Sequence, residues 1–587
     1  MFSINRIAVV APDLRAADVA FNIRCLTGAY QQAVEQGASL VLFPAMAVSG
    51  KSCGVLLDQP YLLNSVLDGA NEFALAAGSV PAVFGLPLVI DGKRYEAIAV
   101  AQNGEIAGYV VKDAPADAPV YAPGAVFDAG LKFSVNFAGD MPLPSVAHIH
   151  LFCGAEAEVP GLWQSRREFY RAVSRQGECA VAAAFAGSGE STGDQLYGGA
   201  LLIGAHGEIL SSRPSPARGA GMIFADIDRE RIDAALLHKN CTSDVDLLPL
   251  DDAPEADDWR YFSNPVHPFL PSDPVERNEF CRETFALQSI GLGERFLRCG
   301  AKKLVLGISG GLDSTLALVA LAMMCNEYGL PMDTVLAVTM PGFGTTGRTK
   351  SNAVKLAELL GAEVREIPIA AACKQHFADI GHDPENTNSV YENSQARERT
   401  QILMDIANEV NGIVIGTGDL SEIALGWSTF NGDQMAMYSV NSSIPKSNIA
   451  ALLEYAAQVL PGSAEILQDV IDTPVSPELL PLDENGEIAQ KTEAILGAYE
   501  VHDYYLWHLV HGVSEPEKLF ALAQHAFAGK YPDEELRRVR DLFMRRFFTQ
   551  QFKRTAGPDG IQAGVVSLSA RGAWMMPPDI NGNLWRR

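Results

Sequence analysis

The apolar run Leu304-Val305-Leu306-Gly307-Ile308 breaks at Ser309-Gly310-Gly311, and a helical pattern then opens at Ser314 and continues through Leu316, Leu318 and Leu321. A strand, a glycine turn and a helix in this order form a phosphate cradle. The glycines let the backbone turn tightly and present its N–H groups, and the helix N-terminus adds partial positive charge where an anion sits. The common P-loop carries a lysine after its last glycine, whereas Leu312 and the acidic Asp313 follow here. An acid beside a phosphate site points to magnesium, whose preferred ligands are carboxylate and phosphate oxygens.

At 587 residues the chain is too long for one core; at roughly 100–200 residues per domain it predicts two large domains or more. With 45 basic against 71 acidic residues the net charge is -26, which argues against nucleic-acid binding as the main activity. Phosphate-rich ligands then need local positive charge. The start carries no signal-like pattern, and no window reaches the roughly 18 apolar residues of a membrane span, so a cytoplasmic protein is expected. Nine cysteines without a CxxC pair fit reduced thiols better than disulfides or a zinc site.

Along residues 1–240, strands are expected at 6–10, 39–43, 83–90, 133–137, 149–153 and 179–185, and helices at 16–35, 62–77 and 163–176. Hairpins are expected to turn at Asn103-Gly104 and at His206-Gly207. Interleaved strands, helices and hairpins predict a layered α/β sandwich. Order and spacing resemble the nitrilase-like glutaminase domain of glutamine-dependent NAD⁺ synthetases. The resemblance rests on Leu40-Val41-Leu42-Phe43-Pro44, Gly108-Tyr109-Val110-Val111-Lys112, the 133–140 stretch, Gln164-Ser165-Arg166-Arg167 and Gly189-Glu190-Ser191-Thr192.

Such glutaminases use a Glu–Lys–Cys set: a thiolate attacks the amide, a carboxylate moves the proton and the lysine stabilises the oxyanion. Where the family reads Phe-Pro-Glu this chain reads Phe43-Pro44-Ala45, and where the family has its cysteine followed by Glu-Asp it reads Ala138-Gly139-Asp140. A further family glutamate falls at Ala122, and Lys112 alone remains. A methyl group neither attacks a carboxamide nor accepts its proton. The resemblance therefore implies a pseudo-glutaminase domain kept for packing, assembly or regulation. Lys112 is either a residual ligand contact or a solvated or structurally paired lysine. Cys153 and Cys53 are expected to be small buried residues rather than displaced nucleophiles.

Residues 251–258 are acidic and aperiodic, and Pro265, Pro268, Pro271 and Pro274 follow, so a linker is expected over 241–275. From 276 to 587 a helix at 277–299 precedes the phosphate loop. Strands at 334–340, 364–369 and 412–416 alternate with helices at 349–360 and 395–410. That alternation predicts a parallel sheet covered on both faces, with one site at the strand C-terminal ends. Tyr391-Glu392-Asn393-Ser394-Gln395-Ala396-Arg397-Glu398-Arg399 places Asn393 and Arg397 on one helix face. Gly416-Thr417-Gly418-Asp419-Leu420-Ser421-Glu422 supplies a second carboxylate, and Gly426-Trp427-Ser428-Thr429-Phe430-Asn431-Gly432-Asp433 precedes Asn441 and Pro445-Lys446.

Together with the phosphate loop, these stretches resemble the Rossmann-like ATP pyrophosphatase domain of NAD⁺ synthetases, out to Phe552-Lys553-Arg554 and the 567–574 stretch. The resemblance implies an ATP-dependent carbon–nitrogen ligase that adenylates deamido-NAD⁺ and lets ammonia displace AMP. It implies that Ser309, Gly310, Gly311, Ser314 and Thr315 hold phosphates and that Asp313 and Glu422 bind Mg²⁺. Thr417 and Arg399 would contact ATP, and Asn393, Arg397 and Asp433 the deamido-NAD⁺. Lys446 would neutralise phosphates, Lys553 would close over the site, and Asp433 would hold incoming ammonium. The family's Arg-Gly-Asp-Trp is here Arg571-Gly572-Ala573-Trp574, which fits uncoupling from glutamine or drift in a surface loop. Free ammonia is the expected nitrogen source; the alternative is glutamine through a non-standard or separately supplied glutaminase. The 391–399 and 426–433 stretches speak against a GMP-synthetase-like ligase, and the intact loop, Glu422 and Lys446 against a purely regulatory protein. The resemblance also implies at least a homodimer through the synthetase domain.

Overall fold

The computed structural model describes residues 4–142, 146–185, 189–190, 198–205, 207–229, 232, 264–343, 347–473, 495–513 and 515–586. The chain forms two compact units, Met1–Asp257 and Asp258–Arg587. The expected turn residue His206, Ser191-Thr192 and most of the expected linker lie outside the described residues. No helix among the described residues is long and apolar enough to cross a membrane.

In the first unit two six-stranded sheets lie face to face. One runs, edge to edge, Gly221–Asp228, Ile4–Ala11, Leu40–Leu42, Ala82–Ile90, Lys93–Gln102 and Glu105–Val111. The other runs Ile209–Arg213, Ala200–Ile203, Ala180–Ala184, Ile149–Cys153, Lys132–Phe137 and Val126–Asp128. Period-two alternation builds the layers. On the strand Ile4–Ala11, Ile7 and Val9 join the core between the sheets, while Ala8 and Val10 face the core under the helices Val19–Glu35 and Pro60–Ala76. A third core packs the helix Leu162–Gly177 on the outer face of the second sheet through Trp163, Tyr170 and Val173.

This is the expected α-β-β-α sandwich, with adjusted ends. The first helix starts at Val19 rather than 16, because Ala17 takes φ 62° and Asp18 caps the helix by accepting from Phe21 N–H at 3.1 Å. The Asn103-Gly104 turn has both residues at positive φ, 54° and 84°, the backbone a two-residue hairpin requires.

The second unit is organised on a five-stranded parallel sheet in the order Glu363–Glu366, Val335–Thr339, Lys303–Gly307, Gly412–Gly416, Tyr438–Ser439. Apolar strand residues are buried on both faces, Val305, Leu336 and Val338 against the helices Ala370–Ile380 and Ser389–Glu409. The third strand stops at Glu366, short of the expected 369, and the helix expected from 395 already begins at Ser389, where Asn388 accepts from Val390 N–H at 2.8 Å. The helix expected from 277 begins at Pro274, capped by Asp273, so the expected linker overlaps it by two residues. The first strand in sequence lies beside the fourth, so the chain leaves the sheet centre in both directions. A crevice opens at that switch point, beyond the strand C-terminal ends.

Candidate active site

The loop after Lys303–Gly307 enters this crevice. Gly310 adopts φ 89°, open to glycine at no steric cost, and the helix Leu312–Tyr328 starts immediately after Gly311. Ser309 Oγ accepts from Gly311 N–H at 3.2 Å and lies 3.2 Å from Ser314 Oγ, so the two hydroxyls staple the turn. Ser309, Gly311, Asp313 and Ser314 line a cavity of about 720 Å³ together with Thr417, Glu422, Asn393, Arg399, Asp433, Lys446 and Lys553. Three expected residues do not line it. Gly310 sets the turn from behind, Thr315 is buried beneath the loop, and Arg397 is exposed, donating to Phe430 O at 3.3 Å.

At the centre of the crevice Lys446 is held by carboxylates. Its Nζ lies 2.8 and 2.7 Å from the two Asp313 oxygens, 2.7 Å from Asp419 Oδ2 and 3.0 Å from Glu422 Oε1. Lys446, expected to neutralise phosphates, has a side chain only 5% exposed and is already paired with these three acids. Burial works to lower its pKa, but the three carboxylates outweigh it and hold the amine well above the ordinary lysine value. In turn, burial pushes Glu422 up to about 7, with Asp313 adding to the rise and Lys446 opposing it. Burial likewise raises Asp419 well above the carboxylate range, against the pull of Lys446.

Asp419 had no expected role, because Asp-Leu-Ser-Glu reads as a helix cap, and its Oδ1 does accept from Glu422 N–H at 2.8 Å. Its other oxygen completes the carboxylate set, whose ligand atoms lie within 4.8 Å of one another. Three carboxylates offering hard oxygen donors this close together are the ligand type that fits Mg²⁺. Asp313 and Glu422, 24% and 23% exposed, are the members that reach the cavity. Asn441, noted in the sequence without a role, ties the two loops: its Nδ2 donates to Asp313 O at 3.0 Å and Thr417 O at 3.2 Å.

The far wall comes from the 426–433 segment. Thr429 N–H donates to Asp433 Oδ1 and Thr429 Oγ1 to Asn393 Oδ1, both at 2.7 Å. Burial raises the Asp433 pKa. Lys553 Nζ donates to Gly426 O at 2.8 Å and Ser428 O at 2.6 Å; burial lowers its pKa, with Arg546 adding to the drop. Arg399 Nε donates to Met340 O at 3.1 Å, and the apolar Ile308, Leu403 and Val414 also line the cavity.

In the first unit, Ala45 N–H donates to Gly154 O at 3.2 Å, and Ala138 N–H to Cys153 O at 2.9 Å. A Cβ on Gly154 would lie 2.8 Å from the Ala138 methyl, so Ala45 and Ala138 meet at one turn. Lys112 Nζ lies 2.7 Å from Asp140 Oδ1, with the lysine side chain 54% exposed. Ala122 is exposed in the adjoining segment. Burial raises the Cys153 thiol far above its ordinary pKa, and Cys53, buried and donating to Ser49 O at 3.1 Å, is pushed up to about 11. Neither is a thiolate near neutrality. The eight described cysteines are all free thiols.

The NAD synthase family model matches residues 288–555, which hold every residue of this cavity. The glutamine-dependent NAD(+) synthetases of Mycobacterium tuberculosis and Mycobacterium leprae are 31% and 30% identical, each alignment covering 99% of this chain and 97% of the relative. Among solved structures, a glutamine-dependent NAD(+) synthetase from Cytophaga hutchinsonii superposes with a TM-score of 0.78 at 16% identity, covering 100% of this chain and 99% of the other. The Acinetobacter baumannii glutamine-dependent NAD+ synthetase in complex with adenosine diphosphate gives 0.65 at 20% identity, covering 99% of each; both show the shared fold. Identity sustained over both units, with the phosphate loop and carboxylate cluster in place, leads to one assignment: the chain belongs to the glutamine-dependent NAD⁺ synthetase family.

Proposed function

We propose that the second unit makes NAD⁺ from deamido-NAD⁺, ATP and free ammonia, releasing AMP and pyrophosphate. The observation that carries this is one cavity at the switch point of the sheet that joins the loop at Ser309–Ser314 to the Asp313–Asp419–Glu422–Lys446 cluster beside it. A carboxylate does not react with ammonia. Attack of the nicotinate carboxylate on the α-phosphorus of ATP breaks the bond to pyrophosphate and gives a mixed anhydride. The ammonia lone pair then forms the C–N bond, AMP leaves, and the surplus proton is released.

Ser309, Ser314 and the N–H groups after Gly310 receive the phosphates that depart as pyrophosphate. Arg399, Thr417 and the cavity wall at Met340 hold the adenosine end. Asn393 and Asp433 face deamido-NAD⁺, Asp433 being also the candidate ammonium holder, and Lys553 covers that side. Asp313 and Glu422 would hold Mg²⁺, which when bound would supply charge neutralisation on the phosphates. Much of the rate comes from aligning two large anions, worth about 7 kcal/mol or more in well-oriented reactions.

Ammonia is the proposed donor because Ala45 and Ala138 stand where the family's base and nucleophile are read. The second reading, glutamine through a non-standard or separate glutaminase, is favoured by the names of the relatives. Adenylation is tested alone by deamido-NAD⁺-dependent exchange of labelled pyrophosphate into ATP with no nitrogen source. The proposal expects exchange in the intact chain and none in Asp313→Ala. Equal exchange in both would overturn the site assignment.

A further inference from the structure

The helix Lys446–Val459 follows Pro445, whose ring offers no side-chain acceptor, so the N–H groups of its first turn need partners from elsewhere. Lys446 N–H donates to Ser421 Oγ at 2.8 Å, and Ser447 N–H to Asp503 Oδ2 at 3.1 Å. The Ser421 hydroxyl in turn donates to Asp503 Oδ1. Both oxygens of Asp503, a side chain on a residue only 2% exposed, are thus committed to chain neighbours of the reactive cluster, Ser447 beside Lys446 and Ser421 beside Glu422. The helix that presents it, Tyr499–Val510, also sets Tyr499 one turn earlier against the cavity, its ring 5.4 Å from Lys446 Nζ.

We propose that Asp503 is a positioning residue for the ligase chemistry: through Ser421 and Ser447 it fixes the backbone from which Lys446 reaches Asp313, Asp419 and Glu422. A lysine amine meeting three carboxylates at 2.7–3.0 Å leaves little freedom in where its backbone starts. The hydroxyl of Ser421 can do this only while its proton points at Asp503, leaving its lone pairs to Lys446 N–H. The proposal rests on the functional reading above.

Asp503→Asn keeps the shape but removes one acceptor: with its oxygen on Ser447 N–H, the amide NH₂ faces the Ser421 hydroxyl and turns that proton away. Asp503→Asn, Ser421→Ala and the double variant are compared by steady-state NAD⁺ formation from ammonium. They are also compared by the rate at which an amine reagent labels Lys446, read by mass spectrometry against Lys303 in the same sample. The expected result is a tenfold or greater fall in kcat for Asp503→Asn with the KM for ATP within twofold. The double variant should fall no further than the worse single, and Lys446 labelling should rise several-fold relative to Lys303. Unchanged kcat and labelling, losses that multiply, or labelling that rises equally at Lys303 would overturn the proposal. If the intact chain forms no NAD⁺, the functional reading fails by itself, and the labelling ratio still decides the role of Asp503.

Discussion

Each unit holds a lysine ion-paired to acid, Lys446 in the second and Lys112 in the first, yet the two differ in surroundings. Lys446 is 5% exposed and shared by three acids, whereas Lys112 is 54% exposed and, among the described residues, forms its ion pair with Asp140. The buried cluster is expensive unless each charge is matched, so every member is fixed. The exposed pair is screened by water and holds little. Burial, rather than the presence of a lysine, distinguishes the Lys446 cluster from the Lys112 pair.

The largest effect that would break this comparison is at Lys446. Lys446→Ala should lower deamido-NAD⁺-dependent pyrophosphate exchange by about 10³-fold. It should also cost about 3–5 kcal/mol of stability in denaturant titration, because three carboxylates lose their cation. Added Mg²⁺ should recover part of that stability.

Next is the contrast on the helix Ser389–Glu409. Arg399 lines the cavity and Arg397 does not, so Arg399→Ala should raise the KM for ATP by about tenfold, the worth of one charged hydrogen bond. Arg397→Ala should change it by less than about twofold. A reversed order would move the adenosine end of the site.

His502 gives a pH test of the second unit. Burial lowers its pKa from 6.5 to about 4, with Nε2 placed 2.9 Å from Leu496 O. The folded state therefore binds fewer protons than the unfolded one between those values. The stability His502 contributes is present above pH 6.5 and is lost as pH falls toward about 4, up to about 3 kcal/mol. His502→Gln should flatten that acid-side slope in denaturant titrations at several pH values; an unchanged slope would mean the ring is charged in the folded state. The smallest effect belongs to Lys112→Ala, expected to shift stability by about 0.5 kcal/mol or less and to leave ammonium-supported turnover unchanged.

The phosphate loop, the sandwich and most strands were legible in the sequence because each rests on a local pattern: a glycine turn, a period of two, an asparagine–glycine hairpin. What escaped is nonlocal. Asp419 reads as an ordinary helix cap and serves as one, and only the fold shows its second oxygen against Lys446. Asp503 lies on a helix with no motif, and its meaning comes from Ser421 and Ser447, 82 and 56 residues away in the chain. The fifth strand, Tyr438–Ser439, is two residues long and is defined by nonlocal pairing, with Gly412–Gly416 on one side and Gly560 on the other. The resemblance implies that Arg397 contacts deamido-NAD⁺; its side chain meets the 426–433 segment at Phe430 O but does not line the cavity.

The most direct test of a working ligase joined to an inactive glutaminase is NAD⁺ formation with ATP, Mg²⁺ and deamido-NAD⁺. Ammonium chloride and glutamine would be compared as sole nitrogen source, in preparations free of contaminating ammonia and glutaminase. The account predicts turnover with ammonium and none with glutamine. Equal turnover with glutamine would contradict it and place a working nucleophile in the first unit.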